Sequence, residues 1–207
     1  MTNLPYRLAL AAVILAVVAT GALRSRRYGR PASDVPRSAD GPVVATALAA
    51  GGLGFYGSLL AFIVWPPLLA WSSMGLPAPV RWAGLALLAT GVALALWARF
   101  TLGKSSTVTA VPAPGGELVT RGPYRRLRHP IYSAGLLMLP GAAALTDSAF
   151  VAGIGLVMLV VLDIRTRTEE RLLLERFGDA YRRHMDRTHR WLPRLGPGPE
   201  RRGDPGR

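Results

Sequence analysis

The stretch IYSAGLLMLPGAAALTDSAFVAGIGLVMLVVL, residues 131–162, carries a single charge, Asp147. One membrane crossing by a helix takes roughly 20 apolar residues, so this run is long enough for two short crossings. Thr146-Asp147-Ser148, near its middle, are turn-forming residue types. The stretch therefore reads as a helical hairpin buried in a bilayer. Three more uncharged runs lie upstream, at Leu8–Leu23, Pro42–Val80 and Trp82–Ala98. The second is too long for one span and too rich in proline after Val64 to stay helical. It divides into a span over 42–65 and a loop, WPPLLAWSSMGLPAP, with tryptophans suited to the interface. The expectation is an all-α integral membrane protein with about five transmembrane helices, near 8–23, 42–65, 81–99, 131–146 and 149–164. The first, fourth and fifth are short, so tilt or burial against neighbours has to help them.

Composition agrees with that class. Half of the 207 residues are hydrophobic, and there is no cysteine, which excludes a disulfide, a thiol nucleophile and a cysteine-based metal site. The net charge of +13 would suit a nucleic-acid partner, but no nucleic-acid module carries so much apolar sequence.

The charge serves orientation instead. With the N-terminus outside, the inner segments hold 23 of the 25 lysines and arginines, leaving only Arg7 and Arg81 outside. That asymmetry predicts a multi-pass protein with a cytoplasmic C-terminus. The arginines follow the first apolar run instead of preceding it, the wrong order for a cleaved signal peptide. Arg125 and Arg126 read as topology charges near lipid headgroups. The tail RLGPGPERRGDPGR, residues 194–207, lacks a packing face and is expected to be disordered.

Two patterns mislead. GLGFYG, Gly52 to Gly57, fits a dinucleotide fingerprint, but it lies inside an apolar span where glycines usually serve close helix packing. His184 and His189 stand five apart in an arginine-rich tail, poor helical spacing for a shared metal, and read as solvated side chains.

Polar chemistry concentrates in LGKSSTVTAVPAPGGELVTRGPYRRLRHPIY, residues 102–132, and DIRTRTEERLLLERFGDAYRRHMDRTHRWLP, residues 163–193. In the second, Glu170, Leu173, Leu174, Phe177 and Tyr181 recur at helical spacing and need a surface to pack on. Glu169 and Glu170 taken alone read as a solvated pair, with Arg165 bonded to Glu169 one turn away. Yet charged residues at the end of a span are functional candidates by default.

Together, ELVTRGPYRRLRHPIY (117–132), RTRTEERLLLERFGDAYRRH (165–184) and the closing WLP (191–193) resemble the isoprenylcysteine carboxyl methyltransferases. These are integral membrane enzymes that use S-adenosylmethionine. The resemblance covers the half of the chain from Leu102 on, and implies one methyltransferase domain over residues 1–193. It implies a cytoplasmic cofactor region built by the 102–132 loop and the C-terminal helix. Glu117, Leu118 and Val119 match a strand-like stretch lining the cofactor. Tyr124, His129, Pro130, Ile131 and Tyr132 match the loop and helix start that hold it. Glu169 matches the cofactor-binding glutamate and Arg165 the arginine that engages a substrate carboxylate. Thr109 stands where eukaryotic members have a glutamine, a departure from the pattern. The implied substrate is lipophilic, a prenylcysteine-like carboxylate, and the setting a bacterial or archaeal cell membrane.

Those roles are physically reasonable. Methyl transfer to a carboxylate gains mainly from alignment and from removing water. It needs no metal, and no base when the acceptor is already anionic. A lipid amine or thiol acceptor would need one, for which His129 or Glu170 could serve. The His-Pro element also occurs in membrane sterol reductases that use NADPH, a second reading. A non-enzymatic membrane scaffold is the third.

Overall fold

The computed structural model describes residues 3–28, 41–103 and 117–192. Thr109 and the 194–207 tail lie outside these residues. Among the described residues six α-helices follow one another: α1 Leu4–Tyr28, α2 Gly41–Val64, α3 Ala78–Leu102, α4 Pro130–Thr146, α5 Ala149–Phe177 and α6 Asp179–Arg187. Helices α1, α2, α3 and α5 are long and apolar enough to cross a membrane, and α4 is a shorter apolar helix of 17 residues. The chain is a multi-pass membrane protein. The expected shortness holds only for α4, because α1 extends past both ends of its apolar run and α5 continues well beyond Ile164.

Helix α4 spans only about 25 Å at 1.5 Å per residue, less than a bilayer core of roughly 30 Å. Its partner α3 compensates by embracing it closely. A Cβ on Gly141 would stand 2.6 Å from the Leu88 nitrogen and 2.8 Å from the Gly84 carbonyl oxygen. One on Gly91 would stand 2.8 Å from the Ala134 carbonyl oxygen. Only glycine lets two backbones approach so near, and between membrane helices that contact is a principal source of attraction. The glycines of the 52–57 motif do not share this role: only Gly54 comes near α5, where an added Cβ would stand 3.3 Å from the Ile154 side chain, and Gly52 and Gly57 meet nothing within 4 Å.

At one end of the bundle, the α4–α5 turn falls at Asp147, in the left-handed region with φ 56°. Ser148 caps α5 by accepting from the Val151 N–H. The connector before α3, expected as a loop, includes a 3-10 segment at Pro66–Ser72, whose two leading prolines suit a helix start. Its last residue and those after it clasp the turn. The Asp147 carboxylate accepts from the Ser73 hydroxyl and the Leu76 N–H, and Ser72 bonds Ser148. Buried Arg81 donates from Nε and Nη2 to the Leu145 carbonyl, one of the acceptors the end of α4 leaves open. It also bonds Asn3 and lies 3.8 Å from the centroid of the Tyr6 ring, which ties α1 to this end.

A candidate active site at the junction of α4 and α5

The opposite end of the α4–α5 pair gathers the polar motifs. The chain enters it through a 3-10 turn, Gly122–Arg125, where Gly122 takes φ 57° and its missing side chain leaves room for Thr101. His129 then precedes Pro130, which opens α4 as the first helical residue. Helix α5, leaving the bilayer region, sets Arg165, Glu169 and Glu170 beside them.

Both carboxylates are buried, Glu169 at 2% exposure and Glu170 at 5%, so the solvated-pair reading fails. The ion pair from Arg165 Nε to Glu169 Oε1, at 3.1 Å, does form as the sequence spacing suggests. Tyr132 donates its hydroxyl to the same oxygen at 2.5 Å. Oε2 of Glu169 has no hydrogen-bond partner, and His129 Nδ1 lies 3.7 Å from it. The His129 ring stacks on Tyr132, with centroids 5.5 Å apart and planes 11° from parallel.

Glu170 faces the other way. It accepts from Arg128 Nε at 2.8 Å on Oε1 and from Arg190 Nη2 at 2.6 Å on Oε2. Two guanidiniums favour the ionised carboxylate, which makes Glu170 a weak proton acceptor. This arrangement fits a brace and does not suit the base role expected of Glu170.

Arg128 also donates to the Met185 and Thr188 carbonyls at the end of α6. Residues 188–191 run beside 126–129: His129 N–H donates to the Arg190 carbonyl, and Ser133 donates to that of Trp191. The strap formed by residues 188–191 is thereby bound across the helix junction. Sequence reading missed Arg128 and Arg190 as partners of Glu170, since the positive-inside pattern already accounted for both.

The remaining expected residues fall into two groups. Tyr124 is buried and packs with Ala98 and Leu102 of α3, joined by partly buried Val119 and Ile131. Burial, then the nearby Glu169 charge, pushes its hydroxyl well above the usual tyrosine range, so it remains a donor. Glu117 is exposed, and Glu117–Val119 is irregular backbone, not a strand. Tyr181, expected only as part of a packing face, buries a hydroxyl that has no hydrogen-bond partner. That face bends where Gly178, at φ 50°, separates α5 from α6. His184 is buried against Tyr181, which corrects the solvated reading. Burial first, then the Arg128 and His129 charges, lowers its pKa. Among the described residues no cluster of three or more His, Cys, Asp or Glu could hold a metal. Arg125 and Arg126 are exposed.

A cavity of about 560 Å³ opens on the far side of Tyr132 and Arg165, both of which line it. Its walls come from α1 to α5 and are mostly apolar, with Phe55, Leu96, Met138 and Leu162 among them. Volume and lining are those of a small-molecule site. Glu169 is thus bonded to two residues that face a greasy chamber.

Residues 80–180 match the family model for phospholipid methyltransferase, the membrane methyltransferase family that includes the isoprenylcysteine carboxyl methyltransferases. Over these residues the chain is similar to that family. The phospholipid methyltransferase match covers α3 to the start of α6 and takes in His129, Tyr132, Arg165 and the carboxylate pair. Two curated relatives are similar to the chain. One is the cobalt-zinc-cadmium resistance protein CzcN of Cupriavidus metallidurans, 38% identical over 79 residues, which is 38% of this chain and 36% of that protein. The other is the nickel-cobalt-cadmium resistance protein NccN of Alcaligenes xylosoxydans xylosoxydans, 35% identical over 125 residues, 55% of this chain and 53% of that one. The aligned stretches span about half or less of these relatives.

Proposed function

We propose that the protein transfers a methyl group from S-adenosylmethionine to a lipophilic acceptor, with a prenylcysteine-like carboxylate as the first candidate. The reading rests on one observation: Tyr132 and Arg165 both bond Glu169 and both line the apolar cavity. A water-soluble cofactor and a membrane-soluble acceptor need seats that share a wall, and these two residues are that wall. The family match supports methyl transfer over the NADPH reductase reading.

The residues fit the cofactor. Glu169 Oε2 and both His129 ring nitrogens are buried without hydrogen-bond partners, so capacity remains for hydroxyl or amino groups of a ligand. Glu169, His129 and Tyr132 would hold it, with Tyr124 and Tyr181 as neighbouring donors. When bound, S-adenosylmethionine supplies an electrophilic methyl on a sulfonium.

The chain's own contribution is positional. Glu169 fixes Arg165 and Tyr132 in place. Arg165 presents its guanidinium edge to an acceptor carboxylate, and the apolar walls strip its water, which raises its reactivity. Under this reading the cofactor side is cytoplasmic, the N-terminus lies outside, and the acceptor enters from the bilayer. Calorimetry on the purified protein tests it, with S-adenosylmethionine binding expected and NADPH binding absent. The opposite result would replace the methyltransferase reading with a reductase.

A further inference from the structure

Glu169 Oε2 and both ring nitrogens of His129 are unpartnered and closed off from solvent, and the Tyr181 hydroxyl at the start of α6 is another such atom. The apolar cavity does not reach Glu169 or His129; Tyr132 and Arg165 line it in their place. A ligand that satisfies these atoms has no open way in, so some element has to move to admit it. The bundle is poorly suited to that. Helices α3 and α4 meet backbone to backbone, and two hydrophobic clusters knit the helices together. Among the described residues, neither cluster includes a member of α6 or of the strap. What holds those two is mostly polar. Arg128 donates to the Met185 and Thr188 carbonyls, and the backbone of His189 and Arg190 bonds residues 126–129. Ser133 donates to the Trp191 carbonyl, and Arg190 pairs with Glu170. Water replaces such bonds at small net cost, and elements with few buried apolar contacts are the first to open. Gly178 joins this unit to α5 at φ 50°, and nothing stands within 4 Å of where its Cβ would be. Glycine in open space suits a hinge.

We infer that α6 and residues 188–191 form a lid, hinged at Gly178 and latched by Arg190, whose opening admits a water-soluble ligand to Glu169 and His129. The inference deepens the proposed cofactor site and rests on that reading for the identity of the ligand. Arg190 is the latch because it ties the strap to α5 by charge, 2.6 Å from Glu170 Oε2 and 3.7 Å from Asp163 Oδ1. Tyr181 travels with the lid, so its hydroxyl meets the ligand only on closure. Closure also shuts water out of the pocket once the ligand is seated.

The test uses the full chain in phosphatidylcholine nanodiscs, and the absence of cysteine makes every introduced thiol unique. The first arm needs no ligand. Ser133 is buried beneath the Trp191 carbonyl, so a thiol in Ser133→Cys reports opening through its reaction with a cationic methanethiosulfonate, which stays in water. Labelling should proceed slowly, and adding Arg190→Gln should speed it about tenfold or more. No labelling, or equal rates with and without Arg190, overturns the lid. The second arm pins the strap. Leu127 and His189 pair as a parallel bridge, whose spacing of about 4.8 Å lies within disulfide reach. Oxidised Leu127→Cys/His189→Cys should take up S-adenosylmethionine at least about tenfold more slowly than its own reduced form, which serves as the folding control. Equal uptake by the two forms overturns the lid. If the wild-type chain binds no S-adenosylmethionine, the methyltransferase reading falls and the thiol labelling alone decides whether the lid opens.

Discussion

Glu169 and Glu170 are joined by a peptide bond, yet they pair with different arginines, while His129 lies near both, its Nδ1 3.7 Å from Glu169 Oε2 and its Nε2 3.5 Å from Glu170 Oε1. Glu169 takes Tyr132 and Arg165, whereas Glu170 takes Arg128 and Arg190. Adjacent helical positions point about 100° apart, enough here to set one carboxylate beside Tyr132 and the cavity-lining Arg165 and the other beside Arg128 and Arg190.

Neutralising each should separate the two roles. Glu170→Gln leaves two guanidiniums short of an anion and should destabilise the protein by about 3 kcal/mol, read as a lower unfolding temperature in detergent. Glu169→Gln keeps an acceptor for Tyr132 and Arg165. It should unfold near the wild-type temperature and bind S-adenosylmethionine roughly ten- to hundredfold more weakly. Similar losses of affinity with no change in stability for both would refute the division.

Arg165→Lys keeps the charge but loses the planar fork. Cofactor affinity should stay within a few-fold of wild type, while methyl transfer to a prenylcysteine-like acid should fall about tenfold or more. Unchanged turnover would favour an amine or thiol acceptor.

The contact between α3 and α4 should tolerate nothing larger than glycine. Gly141→Ala, whose Cβ would press on the α3 backbone, should cost about 1–3 kcal/mol of stability. Gly57→Ala, whose Cβ meets nothing within 4 Å, should be neutral or slightly stabilising. Thermal unfolding of the two variants side by side is the measurement.

Asp147 gives the hairpin a pH dependence. Burial would raise its pKa, but hydrogen bonds from Ser73 and the Leu76 N–H outweigh it, and the folded-state value is lowered. A lowered carboxylate contributes stability that is present above its unfolded pKa and lost as pH falls through the folded value. Asp147→Asn should tolerate the left-handed backbone and flatten the acid limb of the unfolding temperature below about pH 4. An unchanged acid limb would exclude this contribution.

Cysteines introduced at Ser73 and Ala180, both exposed and separated by α3, α4 and α5, should label from opposite sides of the membrane. Labelling from one side only would overturn the proposed orientation.

The hairpin was legible because Asp147 is the lone charge in a long apolar run, and its neighbours Thr146 and Ser148 are natural helix punctuation. The pairing of α3 with α4 was not. Gly84, Gly91 and Gly141 look like any other small residues in two helices full of alanine, and only the backbone approach distinguishes them. His129, Tyr132, Arg165 and Glu169 could be selected through motif resemblance, and the structure brings these four together. The brace on Glu170 escaped because its partners lie 42 and 20 residues away, in segments whose arginines had a sufficient explanation in topology. A charge that satisfies one rule gives no sign that it also obeys another.

The strap over the site has a consequence for biogenesis. Arg190 and the carbonyls of His189, Arg190 and Trp191 are synthesised after helices α1 to α5, yet they hold Arg128, His129, Ser133 and Glu170 in place. A nascent chain can therefore have α1 to α5 complete while the residues of the candidate site are still unbraced. Formation of the helices and completion of the candidate site become separate events in time, and the order is fixed by the direction of translation.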